Sequence, residues 1–520
     1  MATAPTKKTS LDKDLKKIAA LEEAAHAPST RQALLLGFFF LLLVLPFTAV
    51  VAGPSPGLFF IMAAGVIGGY MALNIGANDV ANNVGPAVGA NALTMIGALA
   101  IAAVFEAAGA LIAGAEVVNT ISSGIINVSV VGEPAVFVRA MLAALLAAAL
   151  WLNLATYIGA PVSTTHSIVG GVMGVGIAAA GMSAVQWPVM GAIAASWVIS
   201  PLLGGVVAAL FLLFIEVAVI NKEDRIAAAR RWVPVLVGIM AGAFTAYLMA
   251  KGVKHLIKTP PSAWAAAGVL AFVVFALLTR KMVDRSAATL ENSRKGVARL
   301  FRIPLIVSAA LLSFAHGAND VANAVGPLAA IVSAVGAMES GGGLSEAVGI
   351  PWWVLLVGAA GISVGLVLFG PKLIVTVGEK ITKLDPSRAF CVALSAAVTV
   401  IVASQLGLPV SSTHIAVGGI FGVGFLRELM EHRRRKDSGH AVEGQPDLRS
   451  PKAETGVSHE EAVDFDAYAS ERMLRKVEKS QRRKLVRRQY LSTIVAAWII
   501  TVPLAAALAA GLFFAMEIFF

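Results

Sequence analysis

Apolar runs long enough to cross a bilayer recur along the chain, with short polar breaks between them. They occupy residues 33–52, 58–75, 135–158, 202–220, 233–250, 264–279, 351–369 and 490–520. A spanning helix needs about 20 such residues, so the pattern predicts an all-α polytopic membrane protein of about 10–12 transmembrane segments. Gly and Pro interrupt several runs, which predicts that some segments are broken or re-entrant. Segment 33–52 reads as the first transmembrane helix rather than a signal peptide. A charged leader, 1–31, precedes it and no small-residue cleavage site follows.

The polar breaks repeat. GANDVANNVGP at 76–86 returns as GANDVANAVGP at 317–327, and PVSTTHSIVGGVMGVG at 161–176 returns as PVSSTHIAVGGIFGVG at 409–424. A weaker pair is SWVISPLLGG at 196–205 and AWIITVPLAA at 497–506, with Pro slipped by one position. The order is the same in both halves. Repeat A therefore spans 58–220. Repeat B spans 303–425 and closes with 490–520, and 221–302 carries the linking helices and loops. The polar stretch 426–489, including EHRRRKD and SQRRKLVRR, interrupts repeat B without a counterpart in repeat A and is expected to be a charged cytoplasmic loop.

Charge orients the halves. The composition is 58% hydrophobic and only 14% charged, against about 25% charged in globular domains. The net charge is +10, and the basic residues cluster in the leader, at 225–231, 280–302, 427–436 and 472–488, with Lys251, Lys254 and Lys258 on the predicted outer side as a minor exception. This is a positive-inside pattern, not a nucleic-acid surface. Repeat A starts outside, after the turn AGPSPG at 52–57, and ends at a basic loop inside. Repeat B starts at a basic loop inside and ends outside. The topology is inverted, with a cytoplasmic N-terminus and a multi-pass location in the cell membrane. The lone Cys391 excludes an intrachain disulfide and a cysteine metal cluster, and no cofactor is implied.

Within so apolar a chain, ionisable and amide side chains are costly and mark function. Asn78, Asp79, Asn82 and Asn83 fall within about one helical turn, as do Asn319, Asp320 and Asn323. No Lys or Arg neighbours either aspartate in sequence, so a bound hard cation is the simplest partner for Asp79, Asp320, Asn82 and Asn323. Gly85-Pro86 and Gly326-Pro327 are expected to break the helix there and free carbonyls for the same ion. The runs Ser163, Thr164, Thr165, His166 and Ser411, Ser412, Thr413, His414 each follow a Pro and precede a Gly-rich stretch. They predict two capped half-helix N-termini, which with their hydroxyls suit a tetrahedral oxyanion. Glu106, in AAVFEAAGAL, and Thr120 and Ser122 are further candidates. Cation and oxyanion support each other. Moving one negative charge into a cell against about 100 mV costs about 2.3 kcal/mol, and a dianion roughly twice that, which co-transported cations offset. A channel and a membrane hydrolase are the other classes open to the sequence; no activated nucleophile and no metal-ligand spacing favour an enzyme.

At these motifs the chain resembles the inorganic phosphate transporter (PiT) family, whose marks are two GANDVAN signatures and paired P-[VI]-S-[ST]-T-H segments. The likeness covers 58–220, 303–425 and 490–510. It implies uptake of inorganic phosphate by cation symport, an inverted-repeat helical fold and a homodimer. By that likeness Asp79 and Asp320, with Asn78 and Asn319, line the cation and phosphate site. Ser163, Thr164, Thr165, Ser411, Ser412 and Thr413 give phosphate donors, and Glu106 matches an acidic position of the first repeat. Several sodium-coupled members also carry a Glu in the helix before each P-x-S-x-T-H run, where the best-matching positions of this chain are Met141 and Ala393. The coupling ion, sodium or proton, is left open, as is sulfate in place of phosphate.

Overall fold

The computed structural model describes residues 30–158, 162–251, 260–342, 344, 349–376, 384–442 and 489–519. The leader before Thr30 and the stretch 443–488 lie outside the described residues. The helices are α1 (Thr30–Ala52), α2 (Leu58–Asn78), α3 (Ala81–Gly89), α4 (Met95–Ala113), α5 (Ala115–Asn119), α6 (Val128–Val131), α7 (Pro134–Ile158), α8 (Thr164–Ala180), α9 (Trp187–Ile215), α10 (Arg225–Lys251), α11 (Pro261–Ala287), α12 (Arg294–Leu300), α13 (Arg302–Ser340), α14 (Trp352–Thr376), α15 (Pro386–Gln405), α16 (Ser412–Val442) and α17 (Gln489–Phe519). Eleven of the described helical stretches are long and apolar enough to cross a membrane, and Thr164–Ala180 is a shorter apolar helix. An isolated bridge, Ile126 with Val185, is the one β contact among the described residues.

Packing pairs the two halves crosswise. Gly170 and Gly174 of α8 lie against the backbone of Val502 and Ala506 of α17, while Gly418 and Gly422 of α16 lie against Pro201 and Gly205 of α9. A Cβ at any of these glycines would enter the neighbouring backbone, so small residues permit the close helix approach that holds membrane bundles together. The last helix of each repeat thus seats the half-helix of the other. The Pro slip between the third pair of motifs is accommodated, because Val502 stands where Pro201 stands. Helices α8 and α16 begin against each other, with the His166 and His414 ring centroids 5.3 Å apart. Their N-termini meet at one place, as matched half-helices of an inverted pair must.

A second pair of crossings repeats the logic. Gly317 of α13 abuts the Glu106 backbone of α4, and Gly109 of α4 abuts Phe314 and Ala318. Their counterparts are Gly76 of α2 against Ile362 of α14, and Gly365 of α14 against Leu73. The end of repeat A and the start of repeat B share one face: Arg225 N–H donates to Asn292 (2.9 Å), Asn292 donates to the Glu223 carbonyl (2.8 Å), and Arg294 pairs with Glu216 at 3.6 Å.

Two expectations are corrected. The helix does not break at Gly-Pro. Pro86 lies inside α3 and Pro327 inside the 39-residue α13. A proline inside a helix removes one amide donor, here the one that would reach the carbonyl of Asn82 or Asn323, and the surrounding packing keeps the axis. Repeat A breaks instead at Asp79–Val80, where Asn82 N–H reaches Asp79 O and Asn83 N–H reaches Val80 O, each at 3.0 Å. The loop expected from residue 426 also starts as helix, because α16 continues to Val442. Its Leu, Glu, Arg and Lys residues are good helix formers, and no Gly or Pro stops it before Ser438.

Candidate functional site

The two signature aspartates come together. Asp79 sits at the break after α2 and Asp320 halfway along α13; both are buried. One ligand atom from each of Asp79, His316 and Asp320 lies within 4.8 Å of the others. Both half-helix N-termini point into this group. Thr164 Oγ1 donates to Asp79 Oδ2 (3.0 Å), Thr413 Oγ1 to Asp79 Oδ1 (3.4 Å), and Ser412 Oγ to Asp320 Oδ2 (3.4 Å). The amides cross between repeats: Asn82 Nδ2 donates to Thr413 Oγ1 (2.9 Å), and its counterpart Asn323 Nδ2 donates to Thr165 Oγ1 (3.1 Å). Each repeat's aspartate meets a hydroxyl of its own half-helix, and each repeat's asparagine meets a threonine of the other.

The half-helices are capped as their sequence directs. The Ser163 hydroxyl accepts from His166 N–H (3.3 Å) and the Ser411 hydroxyl from His414 N–H (3.4 Å). These two serines thus satisfy first-turn donors, which a buried helix end requires. Thr164, Ser412 and Thr413, one and two residues later, are the hydroxyls turned to the carboxylates.

Sequence inspection missed His316. It precedes Asp320 by four residues and so shares its helix face. His316 Nδ1 lies 2.7 Å from Glu106 Oε2 and Nε2 lies 2.9 Å from Asp320 Oδ2, with all three side chains buried. Nδ1 and Glu106 share a hydrogen bond, while Nε2 approaches Asp320 closely without hydrogen-bond geometry. Asn83 Nδ2 donates to the other Glu106 oxygen at 2.8 Å. Glu106 therefore belongs to the site, as the last member of a chain running from Asn83 through Glu106 and His316 to Asp320. The available signal was the mismatch between the repeats, IGAND in one and HGAND in the other.

Other predicted residues lie around the cluster. Asn319 is buried, and its amide donates to Ser404 Oγ (2.9 Å) and the Leu408 carbonyl (3.1 Å) while accepting from Val410 N–H (3.2 Å). It holds repeat B's turn before α16. Its counterpart Asn78 ends α2, half-buried. Thr120 donates to the Gly407 carbonyl at 2.7 Å, on the same turn. Ser122 is buried, and its hydroxyl donates to the Asn119 carbonyl at the end of α5 at 3.2 Å. His166 and His414 pack together behind the capping serines, with Trp197 stacked on His166 at 3.8 Å between centroids. Met141 and Ala393 are buried in the apolar core.

Two acceptor oxygens inside the site have no hydrogen-bond partner among the described residues, Asp320 Oδ1 and Asn323 Oδ1. They stand three residues apart on one face of α13. Leaving such a group buried and unsatisfied costs about 1–3 kcal/mol, more for a charged one, so they call for a donor or a cation.

The profile of the phosphate transporter family matches residues 75–509, from the first signature to the last helix. The chain belongs to the phosphate transporter family. It is a multi-pass membrane transporter by family and by its helices, not an enzyme. It is 51% identical over 485 residues to a Helicobacter pylori (strain J99) protein described as a "putative phosphate permease", covering 89% of this chain and 90% of that one. A Pyrococcus furiosus protein of the same description is 40% identical, over 70% of this chain and 87% of the relative. A solved structure titled "The sodium-dependent phosphate transporter" is 34% identical and superposes with a TM-score of 0.73, covering 89% of this chain and all of that one. Hydroxyl-bearing helix ends thus converge on paired, buried carboxylates.

Proposed function

We propose that the protein imports inorganic phosphate in symport with a cation, bound by Asp79 and Asp320 together with Asn82 and Asn323. The observation that carries this reading is a competition. The hydroxyls fitted to an oxyanion, those of Thr164, Ser412 and Thr413, are engaged by the carboxylates fitted to a cation. A cation that neutralises the carboxylates weakens their hold on these hydroxyls and turns donors toward phosphate. Neither ion then gains its full set of partners without the other, which is what coupling requires. The N–H groups of the half-helix first turns complete the donor set; Thr165, held between the Asn323 amide and the Val410 carbonyl, fixes its edge with Asn78 and Asn319. Sodium is favoured by the unsatisfied Asp320 and Asn323 oxygens and by the sodium-dependent structural relative. A proton is the second reading, supported by the Glu106–His316–Asp320 chain.

The basic face shared by 221–232 and 280–302 is assigned to the cytoplasm, which puts the N-terminus inside. A homodimer follows the family resemblance. Proteoliposomes loaded with one gradient at a time test the function. Labelled phosphate should accumulate under an inward sodium gradient, or under a proton gradient in the second reading, and excess sulfate should not suppress it. Uptake insensitive to both gradients would mean a channel; suppression by sulfate would mean a broader oxyanion permease.

A further inference from the structure

The turn that enters the second half-helix is braced along its whole length. Helix α15 closes with Gly407 in the left-handed region (φ 65°), where Gly407 N–H reaches Ser404 O (3.1 Å) and Leu408 N–H reaches Ala403 O (2.9 Å). This is the usual glycine-closed helix end. The next four carbonyls then each accept a side-chain hydrogen bond. Thr120 Oγ1 takes Gly407 O at 2.7 Å, Asn319 Nδ2 takes Leu408 O at 3.1 Å, Trp197 Nε1 takes Pro409 O at 2.9 Å, and Thr165 Oγ1 takes Val410 O at 3.1 Å. Three of the four donors come from repeat A, on three different elements. The turn they hold belongs to repeat B and leads directly into Ser411, Ser412 and Thr413.

Such bracing has a chemical purpose at an anion seat. Carbonyl oxygens repel an oxyanion, and each donor here holds one in a fixed direction while amide and hydroxyl hydrogens remain for the ligand. Trp197 does something the other three do not. Its ring stacks on His166, in the first turn of α8, while its N–H holds the residue two before the cap of α16. One side chain thus ties the start of one half-helix to the approach of the other.

We propose that Trp197 is a positioning residue for phosphate, setting the spacing of the two half-helix N-termini through the Pro409 carbonyl and the His166 ring, with Thr120 as its auxiliary at Gly407. The inference rests on the phosphate reading above. Trp197→Phe keeps an aromatic ring over His166 and removes the N–H; Thr120→Val keeps the shape and removes the hydroxyl. Labelled phosphate uptake is measured in proteoliposomes against phosphate concentration, at saturating cation. Loss of one hydrogen bond of ordinary strength should raise the half-saturating phosphate concentration about three- to tenfold in Trp197→Phe. Thr120→Val should shift it in the same direction by less. The maximal rate per folded protein and the dependence on cation should stay as in wild type. A merely structural role would lower the maximal rate with the yield of folded protein and leave half-saturation unchanged, and that result overturns the inference. If Trp197→Phe does not fold, Thr120→Val decides: a raised half-saturation supports the brace and an unchanged one refutes it. Wild-type protein that carries no phosphate would remove the functional reading itself, a failure distinct from an inert Trp197→Phe.

Discussion

The crossings of α4 with α13 and of α2 with α14 are built to one plan and filled with opposite chemistry. In each, a glycine of the signature helix presses on the backbone of the partner: Gly317 on Glu106, Gly76 on Ile362. Beside Gly317 stands His316, in contact with Glu106; beside Gly76 stands Ile75, buried and apolar. The duplicated backbone thus keeps its symmetry while one crossing carries a buried imidazole and carboxylate and the other two isoleucines. Symmetry serves the fold, which needs two matching halves to bring Asp79 and Asp320 together. Asymmetry serves the ions, because among the described residues His316 shares a helix face and a 2.9 Å contact with Asp320, not with Asp79. The two aspartates are therefore unequal in partners although equal in position.

The largest effect should come from removing the feature the halves share. Asp79→Asn and Asp320→Asn should each abolish gradient-driven phosphate uptake while leaving membrane insertion intact, as measured by uptake and by folded yield. Normal accumulation in both variants would remove the carboxylates from the cation site. Next comes the feature the halves do not share. His316→Ile copies repeat A's residue into repeat B and leaves Glu106 and Asp320 buried without their common partner, a loss of about 3–5 kcal/mol. The double change Glu106→Ile with His316→Ile rebuilds the apolar crossing and should recover most of that stability without recovering uptake. Thermal denaturation in detergent separates these outcomes, and a double variant no more stable than the single would show that the pair is not the source of the cost. A smaller and equal effect is expected at the glycines. Gly76→Ala and Gly317→Ala should each cost about 1–3 kcal/mol from overpacking, and a large difference between them would mean the backbone plan is not shared. Thr165→Val, which removes one donor and keeps the shape, should only raise half-saturating phosphate a few-fold in uptake assays.

The helical membrane fold was legible because apolar length and doubled motifs are local signals. The aspartates, the capped half-helices and Glu106 were legible because polar groups in apolar runs stand out. What escaped was everything set by contact between distant segments. His316 looked like an ordinary residue beside the motif until Glu106, 210 positions earlier, was found against its ring. Asn319 was expected at the ligand, yet its amide is held by Ser404, Leu408 and Val410, a turn that no motif announces. The Gly-Pro steps were expected to break their helices. Proline's local penalty was outweighed there by packing on every side of α13, whose residues from Leu311 to Ile331 are all buried.

The central claim is that carboxylates and phosphate compete for the same few hydroxyls, and that a cation, by neutralising the carboxylates, couples its own binding to that of phosphate. Equilibrium binding of labelled phosphate to the purified protein, repeated as sodium and then proton concentration is raised, tests this most directly. The account predicts that phosphate binds more tightly as the coupling cation rises, and that Asp79→Asn loses this dependence. A phosphate affinity that stays the same in wild type across both titrations would contradict it.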